Sequence, residues 1–182
     1  MTLYRDELVK AMKMLGEIPT SVFVGQSVAY PGHIMTSTIM DVVPRERIIE
    51  LPVFEETQLG LSFGLLLEGY RPVVSVFPRL DFFIIAMNQL VNHLDKWPEM
   101  SQGQFTTGGL IIRTMVGSFY PLYSGPQHIQ DHTDALKLML TNVDVVKLTE
   151  PSHILPMYMK ALWSPRSTIL VEAPRRREGY EL

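Results

Sequence analysis

Six short runs of β-branched and aromatic residues recur along the chain, separated by stretches with helical spacing, and this alternation constrains the fold more than any other feature. The runs are Ser21–Val24, Arg47–Leu51, Pro72–Phe77, Leu110–Met115, Val143–Leu148 and Thr168–Val171. Each reads as a strand buried on both faces. The first is preceded by Leu3–Gly16, where Tyr4, Leu8, Met12 and Leu15 repeat every three or four residues and a glycine closes the helix. Further helical stretches are Glu56–Glu68, Phe82–Asp95, Thr133–Leu140 and Ser152–Trp163, with Ser152 at an N-cap position. Strands alternating with helices require right-handed crossovers. They predict a three-layer α/β domain, a mostly parallel six-stranded sheet with helices on both faces. In such sheets ligands bind beyond the carboxyl ends of the strands, so the loops after Phe23, Leu51, Phe77 and Met115 hold the candidate site.

With 182 residues, 46% of them hydrophobic, the chain buries one sizeable core and is too short for two full domains. A net charge of −3 offers no electrostatic reason for a nucleic acid or an anionic membrane as partner. The chain has no cysteine, which removes disulfides, thiolate nucleophiles and cysteine zinc sites and fits a reducing, cytoplasmic setting. Met1–Lys13 carries charges among its apolar residues, unlike a signal peptide, and no stretch reaches the roughly 18 apolar residues of a membrane span. The mean hydropathy of +0.11 points to a thickly buried sheet or a large partner interface. Lys96–Gly109 and Gly117–Pro126 read as long ordered loops. Arg175–Arg177, beside Glu172, Glu178 and Glu181, reads as a solvated tail rather than an anion site.

The most informative stretch runs from Pro52 to Val73. It places Glu55 and Glu56 at a strand-to-helix junction, where the helix dipole favours a carboxylate and capping is the plainest role. Gly60 and Gly64 follow on the same helix. Each costs about 1 kcal/mol relative to alanine, so the pair marks close backbone approach and a helix pressed against a partner. His128 and His132 stand four residues apart but lack the glutamate and third ligand of a zinc helix, so no metal is assigned to them. No glycine-rich phosphate loop follows any predicted strand, which argues against a nucleotide-binding module.

In order and spacing, several of these elements resemble the N-terminal domain of the beta subunit of 2-oxoacid dehydrogenase first components, within the transketolase-like superfamily. They are Val22-Phe-Val-Gly25, Pro52-Val-Phe-Glu55, Glu68-Gly-Tyr-Arg-Pro72, Asp81-Phe82, Asn88-Gln-Leu-Val-Asn92, Gln127-His128 and Val145-Val-Lys-Leu148. The resemblance implies a pyrimidine-binding domain of a thiamine-diphosphate enzyme. Glu55 then takes the role of the acid that shares a proton with the aminopyrimidine ring and so favours the imino tautomer, which removes the thiazolium proton. Phe82 matches an aromatic position flanking the aminopyrimidine, and Gln127 belongs to the same cofactor-binding set. The resemblance also turns His128 to the substrate side of the cofactor, for proton transfer or for contact with the intermediate, since an imidazole can do either near neutral pH.

Two departures accompany the resemblance. The family has an acidic pair where this chain reads Gly25-Gln26-Ser27-Val28, and the loop Gly117–Gly125 lacks the family's glycine-rich wording. The family's beta subunits also continue into a second domain, whereas residues 1–182 make one, so that C-terminal domain is expected to be absent. The Gly-Asp-Gly and Asn motif that holds Mg2+ and diphosphate belongs to a separate domain. An alpha-type, diphosphate-binding partner subunit is therefore expected, in a homodimer or a dimer of heterodimers acting on a small 2-oxo acid or ketose. The competing expectation is a non-catalytic interaction subunit that keeps the fold and the dimer surface.

Overall fold

A computed structural model describes residues 3–117 and 123–174. The centre of the Gly117–Pro126 loop and the Arg175–Arg177 tail lie outside the described residues. The six predicted strands all form: β1 Val22–Gly25, β2 Ile48–Glu50, β3 Val73–Val76, β4 Leu110–Met115, β5 Asp144–Leu148 and β6 Thr168–Glu172. They make one sheet in the order β2-β1-β3-β4-β6-β5, and every neighbouring pair is parallel. Every residue of β1, β3, β4 and β6 is buried, as a sheet covered on both faces demands, while edge strands β2 and β5 are only partly covered.

Alternation along the strands splits the core in two. Phe23, Val74, Ile111 and Leu170 pack beneath α1 (Tyr4–Gly16) and α6 (Pro151–Trp163). Val22, Val24, Val73, Ile112 and Ile169 pack beneath α2 (Glu55–Leu67), α3 (Leu80–Phe83) and α5 (Thr133–Met139). The predicted helical stretches appear with small shifts at their ends, and the Lys96–Gly109 loop contains one short helix, α4 (Trp97–Met100). No helix among the described residues is long and apolar enough to cross a membrane.

Three local expectations are corrected. Helix α6 begins one residue earlier than expected, with Pro151 in its first turn and Glu150 at the N-cap, so Ser152 does not cap it. The stretch Phe82–Asp95 is not one α-helix: α3 gives way to a 3-10 turn at Ile84–Ala86 and a π-helical turn at Asn88–Leu94. That widened turn lets the Asp95 N–H reach the Leu90 carbonyl and sets the fully buried Asp95 carboxylate under the backbone N–H groups of Thr141, Asn142 and Val143. Burial alone would raise the Asp95 pKa, but the Asn142 N–H, Lys96 and Thr141 outweigh it and hold the group below its ordinary value. Finally, Gly60 and Gly64 do not face a neighbouring backbone of this chain. A Cβ on Gly60 would meet only the end of the Gln89 side chain, and one on Gly64 would meet nothing.

Candidate functional site

Strand order reverses between β1 and β3. From β1 the chain runs outward to β2, returns across to β3 and continues through β4, which makes the carboxyl ends of β1 and β3 the switch point where open α/β sheets bind ligands. The two strands approach closely there. A Cβ on Gly25 would lie 2.5 Å from the Val76 carbonyl oxygen and 2.9 Å from Val28, so only glycine fits.

Glu55 is the first residue of α2 and reaches this edge from the Leu51–Phe54 connection. It is 5% exposed, yet among the described residues no hydrogen bond or ion pair reaches its carboxyl group. The capping role open to it in sequence is not made, since the helix start carries no side-chain cap bond. Glu56 is a different case: it is exposed and accepts from Asn88 Nδ2 at 3.3 Å. A buried polar ladder sets the depth of α2. The Ser62 hydroxyl donates to the Gln58 carbonyl at 2.8 Å and lies 2.9 Å from Ser75 Oγ on β3, and Gln58 Nε2 donates to the Val76 carbonyl at 2.9 Å. Strand β3 thereby fixes the turn that carries Glu55.

Phe82 and His128 meet. Their rings lie edge to face with centroids 5.2 Å apart, and the contact is braced by Asp81, whose Oδ1 accepts from the Gln130 backbone N–H at 3.2 Å and from its side-chain amide at 3.0 Å. Phe83 anchors the same short helix through an edge contact with Phe77, centroids 4.7 Å apart. The turn Pro126–His128 approaches Gly117 so closely that a Cβ there would overlap the His128 carbonyl. Gln127 is exposed on this turn. His132 stands at the N-cap of α5, outside the turn that carries His128, so the two histidines do not share a helix face.

Five side-chain atoms of these elements, Gln26 Nε2, Gln58 Oε1, Asp81 Oδ2, His128 Nδ1 and His132 Nε2, are buried with no hydrogen-bond partner among the described residues. Each such group costs about 1–3 kcal/mol, and native proteins carry few without a reason. Sequence reasoning missed Gln58. Its signal was a polar residue three positions after Glu55 on the inward face of a helix whose other inward residues are mostly apolar. It also missed Arg113, a cation inside the mostly apolar run of β4. Arg113 is fully buried, donates to Thr38 Oγ1 at 2.8 Å and to Glu172 Oε2 at 3.3 Å, and Glu172 in turn accepts from the Tyr158 hydroxyl at 3.3 Å. Burial, then the positive charges of Arg79 and Arg113, depress His33 to about 4.

No family model matches the chain. It is similar to the mitochondrial 2-oxoisovalerate dehydrogenase subunit beta of Dictyostelium discoideum, 27% identical over 132 residues that cover 69% of this chain and 35% of that protein. It is also similar to the chloroplastic pyruvate dehydrogenase E1 component subunit beta-4 of Oryza sativa, 25% identical over 170 residues, 92% of this chain and 40% of that protein. Among solved structures, a transketolase of Campylobacter jejuni superposes with a TM-score of 0.72 at 10% identity, covering 92% of this chain and 25% of the other. A split-gene transketolase, solved as an inactive beta4 tetramer, gives 0.67 at 18% identity, covering 94% of this chain and 51% of the other. The chain is a homologue of 2-oxoacid dehydrogenase beta subunits with a transketolase-like fold. This beta-subunit homologue spans well under half the length of the curated relatives named above.

Proposed function

We propose that the chain is the pyrimidine-binding domain of a thiamine-diphosphate-dependent enzyme, acting with a separate diphosphate-binding domain that holds the Mg2+. The observation that carries the reading is Glu55: a residue only 5% exposed whose carboxyl group has no partner among the described residues, at the head of α2 and at the switch-point edge of the sheet. When bound, thiamine diphosphate supplies the carbanion chemistry that acyl and ketol transfer require. The protein's part is positional. Glu55 shares a proton with a ring nitrogen, in a layer where low local dielectric strengthens the bond. Phe82 offers an aromatic wall, Gln127 stands at the rim, and His128, with Nδ1 buried and unmet, moves a proton on the substrate side. The substrate class is a small 2-oxo acid or a ketose.

The outer face of α2 supports the partner assignment. Gly60 and Gly64 leave it open, and Val53, Phe54, Leu61 and Ile85 around it are 70%, 61%, 37% and 62% exposed. An apolar surface of this kind fits a homodimer or a dimer of heterodimers. The test is reconstitution with the diphosphate-binding subunit. Cofactor-dependent turnover appears only in the assembly, and Glu55→Gln abolishes it while the assembly persists by sedimentation; retained turnover in that variant sinks the role. Gln26 favours a second reading, a non-catalytic subunit with the same fold and dimer surface. That reading prevails if no assembly binds thiamine diphosphate in calorimetry.

A further inference from the structure

The turn after β1 is held more firmly than a loop needs to be. Glu50, the last residue of β2, accepts the backbone N–H groups of Ser27, Val28 and Ala29 at 2.6, 2.8 and 2.8 Å. The Thr36 hydroxyl donates to the Ser27 carbonyl on the other side of the turn. Ser27 itself adopts a left-handed conformation, φ 54°, that a non-glycine residue holds only where its surroundings over-determine it. On the strand side, the Gly25–Val76 approach admits no side chain.

The residue this clamp presents is Gln26, 5% exposed, with Nε2 buried and unmet. Gln26 is the first residue beyond β1, at the carboxyl end of the strand whose Val22 and Val24 pack with Leu59 and Phe63 of α2. Glu55 and Gln58 lie on that helix one turn apart, and Gln58 Nε2 binds the carbonyl of Val76, the β3 partner of Gly25. An unmet amide donor and a carboxyl group that no donor among the described residues reaches thus stand at the same end of the sheet.

We propose that Gln26 is a positioning residue for Glu55: its Nε2 donates to the Glu55 carboxyl group once a ligand is bound at the carboxyl ends of β1 and β3. The proposal rests on the reading of Glu55 given above. A neutral amide suits the task, because it directs the carboxyl group without adding a second ionisable group beside it.

Two measurements test it. In the free chain, Gln26→Met should melt at the wild-type temperature or above, because it removes a donor that has no partner. A fall of several degrees would show that the amide is structural and would overturn the proposal. In the reconstituted assembly, thiamine diphosphate with Mg2+ is titrated calorimetrically into the wild type, Gln26→Met, Glu55→Ala and the double variant. Gln26→Met should weaken binding about 3- to 10-fold, the equivalent of one hydrogen bond, and should have no further effect once Glu55 is alanine. A Gln26→Met effect that persists in the Glu55→Ala background places the amide on the ligand itself and overturns the positioning role. Wild-type binding with no change in Gln26→Met sinks the Gln26 role alone. Absence of wild-type binding sinks the reading of Glu55 and this role with it.

Discussion

Replacing Glu55 with methionine should stabilise the free chain while removing its function. Glu55 is 5% exposed, and no donor among the described residues reaches it. An unmet buried polar group costs about 1–3 kcal/mol, and Glu55, whose carboxyl oxygens are not sealed from solvent, lies at the lower end of that range. The dipole at the start of α2 returns only about 0.3–1 kcal/mol of that. Methionine is close in volume, is flexible and asks for no partner, so the net gain is up to about 1 kcal/mol. For a chain of 182 residues this corresponds to a rise in Tm of up to roughly 4 °C. Calorimetric melting of the free chain reads it directly, and urea unfolding gives the same difference at constant temperature. A drop in Tm of more than about 2 °C would refute the reasoning, because it would mean that Glu55 stabilises the fold, as a helix cap does, instead of being held ready for a ligand.

Two further outcomes follow from the buried charges. Arg113→Met leaves Glu172, 1% exposed, with only the Tyr158 hydroxyl beside it among the described residues, and should destabilise the chain by about 3–5 kcal/mol in urea unfolding. The Arg113→Met/Glu172→Met double variant should recover most of that loss, and equal instability of the two variants would count against the pair. His33 titrates near 6.5 in the unfolded chain and near 4 in the fold, so its contribution is complete above pH 6.5 and is lost as the pH falls toward 4. Urea unfolding at about pH 7 and about pH 4.5 should differ by ~2 kcal/mol more in the wild type than in His33→Asn, and equal slopes would refute the assignment.

Sequence alone determined the layer architecture, because burial on both faces writes continuous apolar runs into strands and a 3.6-residue period into helices. It also singled out Glu55, Phe82, Gln127 and His128, through the order and spacing of short motifs. Three matters needed the tertiary structure. Capping by Glu55 was open in sequence, and only the geometry of α2 shows that no cap bond is made. The stretch Phe82–Asp95 has helical periodicity throughout, but a widened turn sets Asp95 beneath residues far along the chain, a contact no local pattern encodes. Most of all, Gln26 read as a missing acid. The structure finds its amide unmet at the switch point on a turn clamped by Glu50, since strand pairing brings together residues 23 positions apart that no local period connects.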